Sequence, residues 1–234
     1  MIAVGPRLFC WRRRRLAERC PSSPLQSYLQ VQMPDSRRDC RLVSFLALDF
    51  ETTGLDANKD QILSMGWVAM DGLDIQLHTA RHLGVRATQA IPEASAVIHR
   101  ITDDQAAQGL ELAEALEALL HALQGRVLLA HHAGIELGFL DRACRQVYGQ
   151  GCLAPAVDTL QLAHAELARR QEPLRQDSLR LGNLRQRYNL PVYRGHDALN
   201  DALAAAELFA AQVEHRSQRT VPLLEVLHRP GAWW

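Results

Sequence analysis

The chain has almost no lysine. Lys59 is the single one among 26 basic residues, and arginine supplies the rest, which reads as a compositional bias of the genome with no functional content. Net charge is also missing: 26 basic residues face 26 acidic ones, so overall charge announces no polyanionic partner. No apolar run reaches the roughly 18 residues that a membrane-spanning helix needs, so no membrane partner is expected. No C-x-x-C pair occurs. Cys10, Cys20, Cys40, Cys144 and Cys152 are odd in number and widely spaced, which argues against a zinc knuckle or a thioredoxin-type pair and predicts free thiols in a reducing compartment. The opening MIAVGPRLFCWRRRRLAERC has no apolar stretch after its arginines, so it does not read as a secretory signal. A mitochondrial transit peptide is a minor alternative, because Trp11 and Leu16 read better as one face of a docked helix. No internal repeat is visible.

What is present is an ordinary globular composition, 234 residues with 47% apolar and 22% charged, enough for a sizeable core. The charge is unevenly spread. Residues 1–40 carry eight Arg against three acids, while the remainder carries 18 basic and 23 acidic residues. The organisation expected is a basic arm (1–40), a domain (41–216) and a tail (217–234) ending in Trp233 and Trp234. The run at Arg12–Arg15 is by default a solvated face; contact with nucleic acid or with an acidic partner surface are the alternatives. An acidic domain needs cations to meet a polyanion.

Periodicity sets the elements. LVSFLALDF is an apolar run of strand length, QILSMGWVAMDG a second strand with a turn at Asp71-Gly72, and IQLHTARHLGV a third, together an antiparallel meander. Leu110, Leu112, Ala113, Leu116, Leu119, Leu120 and Leu123 share a helical face that Gly125 closes. RVLLAH is a short buried strand. GIELGFLDRACRQVYG is a helix, APAVDTLQLAHAELARR a strand end and a helix, DSLRLGNLRQRY a helix with Ser178 as N-cap, and HDALNDALAAAELFAAQVEH a long helix. The order β-β-β-α-β-α-β-α-α-α predicts an α/β fold, a mixed central β-sheet flanked by helices. The tail reads as strand-like or irregular.

Three separated segments each place a carboxylate at an element end. Asp49 and Glu51 close the first strand two residues apart, on one face. Together they repel, and burial there is costly without a cation; in the plain reading Asp49 caps a turn and Glu51 is solvated. Asp201 lies in the first turns of a helix thinned by Ala198, Ala202, Ala204, Ala205 and Ala206, preceded by His196; alone, it is simply an acid favoured by the helix dipole. Glu136 lies one turn into the AHHAGIELGFL helix, with Phe139, Leu140 and Ala143 on its apolar side. His132 and Glu136 share a face, the spacing of a metal clip or of a surface pair.

The ordered combination LDFETTGLD, AHHAGIELGFLDRA and HDALNDALAAAELF resembles the DEDD superfamily of 3′→5′ exonucleases. More narrowly it is similar to the His-containing branch that includes the proofreading epsilon subunit of bacterial DNA polymerase III. Asp49, Glu51, Thr52, Thr53 and Gly54 match D-x-E-T-T-G, and His196 with Asp201 matches H-x4-D. VIHRIT (97–102) and VDTLQLA (157–163) support the register, and the resemblance covers about residues 43–212. Glu136 stands where the family has Asp, and His132 where it has Asn.

The resemblance implies a ribonuclease H-like exonuclease fold. It also implies two divalent cations, Mg²⁺ or Mn²⁺, about 3.5–4 Å apart, around a scissile phosphate, which suits oxygen ligands. It assigns Asp49, Glu51, Asp201 and Glu136 to the metals and His196 to the role of general base. Thr52, Thr53, Gly54, Leu55, His99 and Ile101 fall to the substrate side, with packing an equal role for His99. The implied partners are nucleic acid 3′ ends, with a polymerase or other protein reached through residues 1–40 or the tail, in a bacterial cytoplasm. The alternatives are an exoribonuclease or oligonucleotidase of the same superfamily, and a non-catalytic exonuclease-fold binding module. The completeness of the acidic set argues against the last.

Overall fold

A computed structural model describes residues 6–20, 22–173, 177–216 and 220–229. Two helices open it, α1 (Pro6–Arg19) and α2 (Pro24–Gln30); Ser23 caps the second by accepting the Gln26 N–H. The strands β1 (Ser44–Thr52), β2 (Ile62–Asp71) and β3 (Asp74–Gly84) follow. Then come α3 (Glu93–His99), α4 (Asp103–Ala107), α5 (Leu112–Leu123), β4 (Val127–Ala130) and α6 (Gly134–Tyr148). The chain continues with β5 (Ala156–Asp158), α7 (Thr159–Arg169), α8 (Leu181–Arg187), α9 (Ala198–His215) and the single turn α10 (Leu223–Val226).

The sheet order is β3-β2-β1-β4-β5. The meander β1-β2-β3 is antiparallel, and β4 and β5 join parallel to β1. This is the mixed sheet that the sequence order predicts. Alternation along β1 divides the core. Leu46, Leu48 and Phe50 pack with α5 and α6 on one face, while Phe45 and Ala47 pack with Phe209 and Val213 of α9 on the other. Asp49 and Glu51 have the parity of Phe45 and Ala47, so they point to the α9 side.

The arm is docked, but not as the sequence suggests. Trp11 is exposed and lies under the Arg15 guanidinium; Leu16 packs against the core. Buried instead is Arg13, from within the arginine run. It donates to Tyr28 O (2.7 Å) and to Leu153 O, and lies 4.5 Å over the Tyr28 ring. A buried cation is tolerable when its donors meet carbonyls in this way. Leu25, Tyr28 and Leu29 of α2 join the core. The five cysteines are free thiols.

The tail also packs onto the domain. Cys40 N donates to Val221 O, Val157 pairs with Leu227, and His228 N donates to Ala156 O at 2.7 Å. Leu227 and His228 thus lie along the outer edge of β5, while Val221, Leu223 and Leu224 bond to the backbone of residues 36–40; Trp233 and Trp234 lie outside the described residues. One further expectation is corrected. Ser178 is not an N-cap, because α8 starts only at Leu181 after Arg180, which makes no side-chain cap bond. The VIHRIT segment runs from one short helix, α3, to the N-cap of another, α4, whose capping box joins Thr102 and Gln105. Neither helix is long enough to show periodicity.

Candidate active site

The carboxylates converge where β1 ends. One ligand oxygen from each of Asp49, Glu51 and Asp201 lies within 4.8 Å of the others. The approach of α9 is what makes this possible. Gly66 of β2 pairs with Asp49, and a Cβ on it would stand 2.1 Å from Leu199 N and 2.2 Å from Ala198 C. Asp197 N-caps α9 by accepting the Asn200 N–H. The first turn of α9 then carries Asp201 over the strand end, where its Oδ2 accepts the His196 N–H at 2.7 Å.

Glu136 is buried on the first turn of α6. It lies outside the 4.8 Å group but close enough that, after burial, its charge does most to raise Asp49. Burial lifts Glu136 itself to about 8, and Asp158 adds to the shift. Glu51 is pushed up to about 7 by burial and then by Asp201 and Asp197. Asp201 is raised by burial, against the His196 N–H that favours its charge. Burial and neighbouring carboxylates thus oppose the ionisation of all four acids, a setting that a bound cation would relieve. Glu51 Oε1 and Glu136 Oε2 are buried without a hydrogen-bond partner among the described residues. Unpaired buried carboxylate oxygens are costly, and an all-oxygen donor set suits hard divalent cations. Asp49, Glu51 and Asp201, with Glu136 beside them, fit such ions.

His132 and Glu136 are not a clip. His132 is exposed with φ +75, and its backbone N–H donates to Asp158 Oδ1 at 3.0 Å. His131 is structural: Leu179 O accepts from its Nε2 at 3.0 Å, so Nδ1 takes the Thr159 hydroxyl at 2.8 Å, and burial pulls the ring down to about 4. His196 is exposed with φ +63, and its imidazole makes no hydrogen bond among the described residues.

The turn after β1 holds itself together. Thr52 Oγ1 donates to Gly54 O at 2.6 Å, and Thr53 Oγ1 donates to Asp60 Oδ1 at 3.1 Å. A Cβ at Gly54 would stand 2.5 Å from Asp60 Oδ2 and would displace the carboxylate that Thr53 and the Asp56 N–H hold. Leu55 follows and is 77% exposed. Thr52 O accepts the Ser95 hydroxyl at 3.0 Å, and the Ser95 oxygen lies 2.7 Å from His99 Nε2. His99 Nδ1 in turn accepts the Ile101 N–H at 3.1 Å. Both nitrogens of His99 are therefore committed within the protein, and burial and the His196 charge lower its pKa. Ile101 is half-buried, whereas Val97 and Ile98 are exposed beside it.

Two acids escaped the sequence reading as parts of the site. Asp197 raises Glu51 and Asp49; its place before an alanine-rich helix marks it as an N-cap. Asp158 is buried and raises Glu136, yet it stays low itself. Burial works against its charge, but His228, 3.4 Å away, and the His132 N–H prevail. No local signal reveals the link to His228.

Residues 46–209 match the exonuclease (RNase T) family. DNA polymerase III subunit epsilon of Treponema pallidum is 31% identical over 179 residues, 76% of this chain and 80% of that one. The PolC-type DNA polymerase III of Thermotoga petrophila is 32% identical over 171 residues, 73% of this chain but only 12% of its own length. The fold is similar to the nuclease domain of 3′hExo, a DEDDh family member bound to rAMP, with a TM-score of 0.64 at 14% identity over 84% of this chain and 100% of that one. It is similar also to Exonuclease X in complex with 5′ overhanging duplex DNA, with a TM-score of 0.58 at 20% identity over 78% and 98% of the two chains.

Proposed function

The chain belongs to the exonuclease (RNase T) family, and from that premise we propose that it removes nucleotides from the 3′ ends of single-stranded or frayed DNA as nucleoside 5′-monophosphates. The observation that carries the reading is the convergence of Asp49, Glu51 and Asp201 oxygens within 4.8 Å beside an exposed His196. Divalent cations, two Mg²⁺ or Mn²⁺ ions in this reading, would supply charge neutralisation at the phosphate and a lowered pKa for the attacking water. Asp49, Glu51 and Asp201 would hold the ions, and Glu136, once deprotonated, would complete the anionic wall. His196 takes the proton of the attacking water. The Thr52–Gly54 turn meets the terminal nucleotide through its backbone, and Leu55 and Ile101 meet the base. Ser95 and His99 hold that turn by its Thr52 carbonyl, so His99 serves the substrate indirectly.

The polymerase names of the relatives and the exposed Leu8 and Trp11 of α1 support a protein partner, such as a polymerase, at the arm, in a cytoplasmic setting. Among the described residues no helix is long and apolar enough to cross a membrane. The test is incubation with 3′- and 5′-labelled DNA and RNA under Mg²⁺, Mn²⁺ or EDTA. The expected result is a DNA ladder shortening from the 3′ end, abolished by EDTA and by Asp49→Ala. Preference for RNA selects the exoribonuclease; binding without cleavage selects the non-catalytic module.

A further inference from the structure

We propose that Arg185, Glu207 and Tyr193 form a clamp that positions His196 for proton transfer, an inference that rests on the exonuclease reading. His196 has a left-handed backbone, φ +63, a conformation uncommon for a non-glycine residue and held by its surroundings. On its C-terminal side the cause is visible, since the His196 N–H is held by Asp201 Oδ2 at 2.7 Å. On its N-terminal side the segment from Asn189 to Gly195 has no regular structure.

That segment is gripped by one buried cation. Arg185 of α8, with its side chain 3% exposed, donates through Nη2 to Pro191 O at 2.8 Å and to Glu207 Oε2 at 2.6 Å. Through Nη1 it donates to Ala204 O at 2.7 Å. The Tyr193 hydroxyl donates to Glu207 Oε1 at 2.7 Å, and the Tyr193 ring lies 4.5 Å from the Arg185 guanidinium carbon. Both Ala204 and Glu207 belong to α9, the helix that carries Asp201. The segment before His196 is therefore referenced to the same rigid element as the metal-facing acid.

Buried ion pairs add little net stability over an apolar filling of the same space. This one joins α8, α9 and the loop at the point where a general base must be held to a fraction of an ångström. None of the three residues needs to touch substrate, so they are positioning residues.

The variants Tyr193→Phe and Glu207→Gln test the clamp. Tyr193→Phe keeps the ring under Arg185 and removes only the hydroxyl. We expect its kcat to fall about tenfold at unchanged KM, with Mn²⁺ affinity by calorimetry within threefold of wild type. Amide hydrogen exchange at 192–196 in the metal-free protein should quicken at least tenfold. The deciding arm is non-additivity: in a His196→Ala background, Tyr193→Phe should cost nothing further. Should Tyr193→Phe fail to fold, Glu207→Gln carries the same comparisons. A cost that persists in the His196→Ala background, or exchange and kcat that do not change, overturns the clamp. An inactive wild-type protein overturns the exonuclease reading and the proton-transfer role with it. Unchanged exchange in an active protein overturns the clamp alone.

Discussion

Gly66 lies opposite Asp49 in the β1–β2 register, and the space where its side chain would stand is filled by the backbone of Ala198 and Leu199. The closeness of α9 to the sheet, and so the reach of Asp201, depends on that missing atom. Gly66→Ala must push the start of α9 outward, because a contact of 2.1 Å to backbone has no flexible end to yield. Misplacement of about 1 Å costs on the order of a hundredfold in rate. The expected outcome is a fall of that size in kcat together with weaker Mn²⁺ binding, read by single-turnover cleavage and calorimetry.

Glu136→Gln separates the fourth carboxylate from the other three. The amide preserves the shape and removes the charge that Asp49 feels most among its neighbours. Mn²⁺-dependent degradation of a 3′-labelled oligonucleotide should drop roughly 10–100-fold, the range for residues that support a metal site. An unchanged rate removes Glu136 from the chemistry.

The raised acids fix the sign of a pH effect. Glu51 at about 7 and Glu136 at about 8 bind protons in the folded protein that the unfolded chain has already released above about 4.5. Between those values the folded state holds more protons, so stability falls as pH rises. Tm of the metal-free protein should therefore decline from pH 5 to pH 8. Added Mn²⁺, which takes the place of those protons, should raise Tm more at pH 8 than at pH 5.5. Differential scanning fluorimetry with and without EDTA checks both arms; a flat Tm from pH 5 to 8 contradicts the assignment.

His132→Asn tests whether that histidine has any part in ion binding. Its backbone sits at φ +75, its N–H donates to Asp158 and its carbonyl accepts the Ile135 N–H, while its imidazole makes no hydrogen bond among the described residues. Asparagine tolerates this region as histidine does. We expect stability within about 0.5 kcal/mol of wild type with Mn²⁺ dependence intact. Loss of Mn²⁺ affinity would restore the metal-clip reading.

Much of this site is legible along the chain because it rests on local rules. Alternation in β1 puts Asp49 and Glu51 on one face, and the alanines of α9 announce a helix able to come close. The apolar neighbours of Glu136 place it near the core boundary, and the structure buries it. What escaped depends on distant partners. Arg13 is buried only because carbonyls at Tyr28 and Leu153 arrive to meet it. Asp158 is a strand-end cap whose charge matters because α6 brings Glu136 near. Arg185 looks like any helical arginine until Pro191, Ala204 and Glu207 converge on it. Short helices such as α3 and α4, of seven and five residues, leave too few turns for a period to show.

The tail has a consequence for how copies of this chain meet. A sheet with two open edges can add neighbours at both and grow without end. Here Leu227 and His228 occupy the outer side of β5, which leaves β3 as the open margin of the described sheet. Two molecules joined margin to margin along β3 would have no further edge to offer, so strand-by-strand growth terminates at a pair.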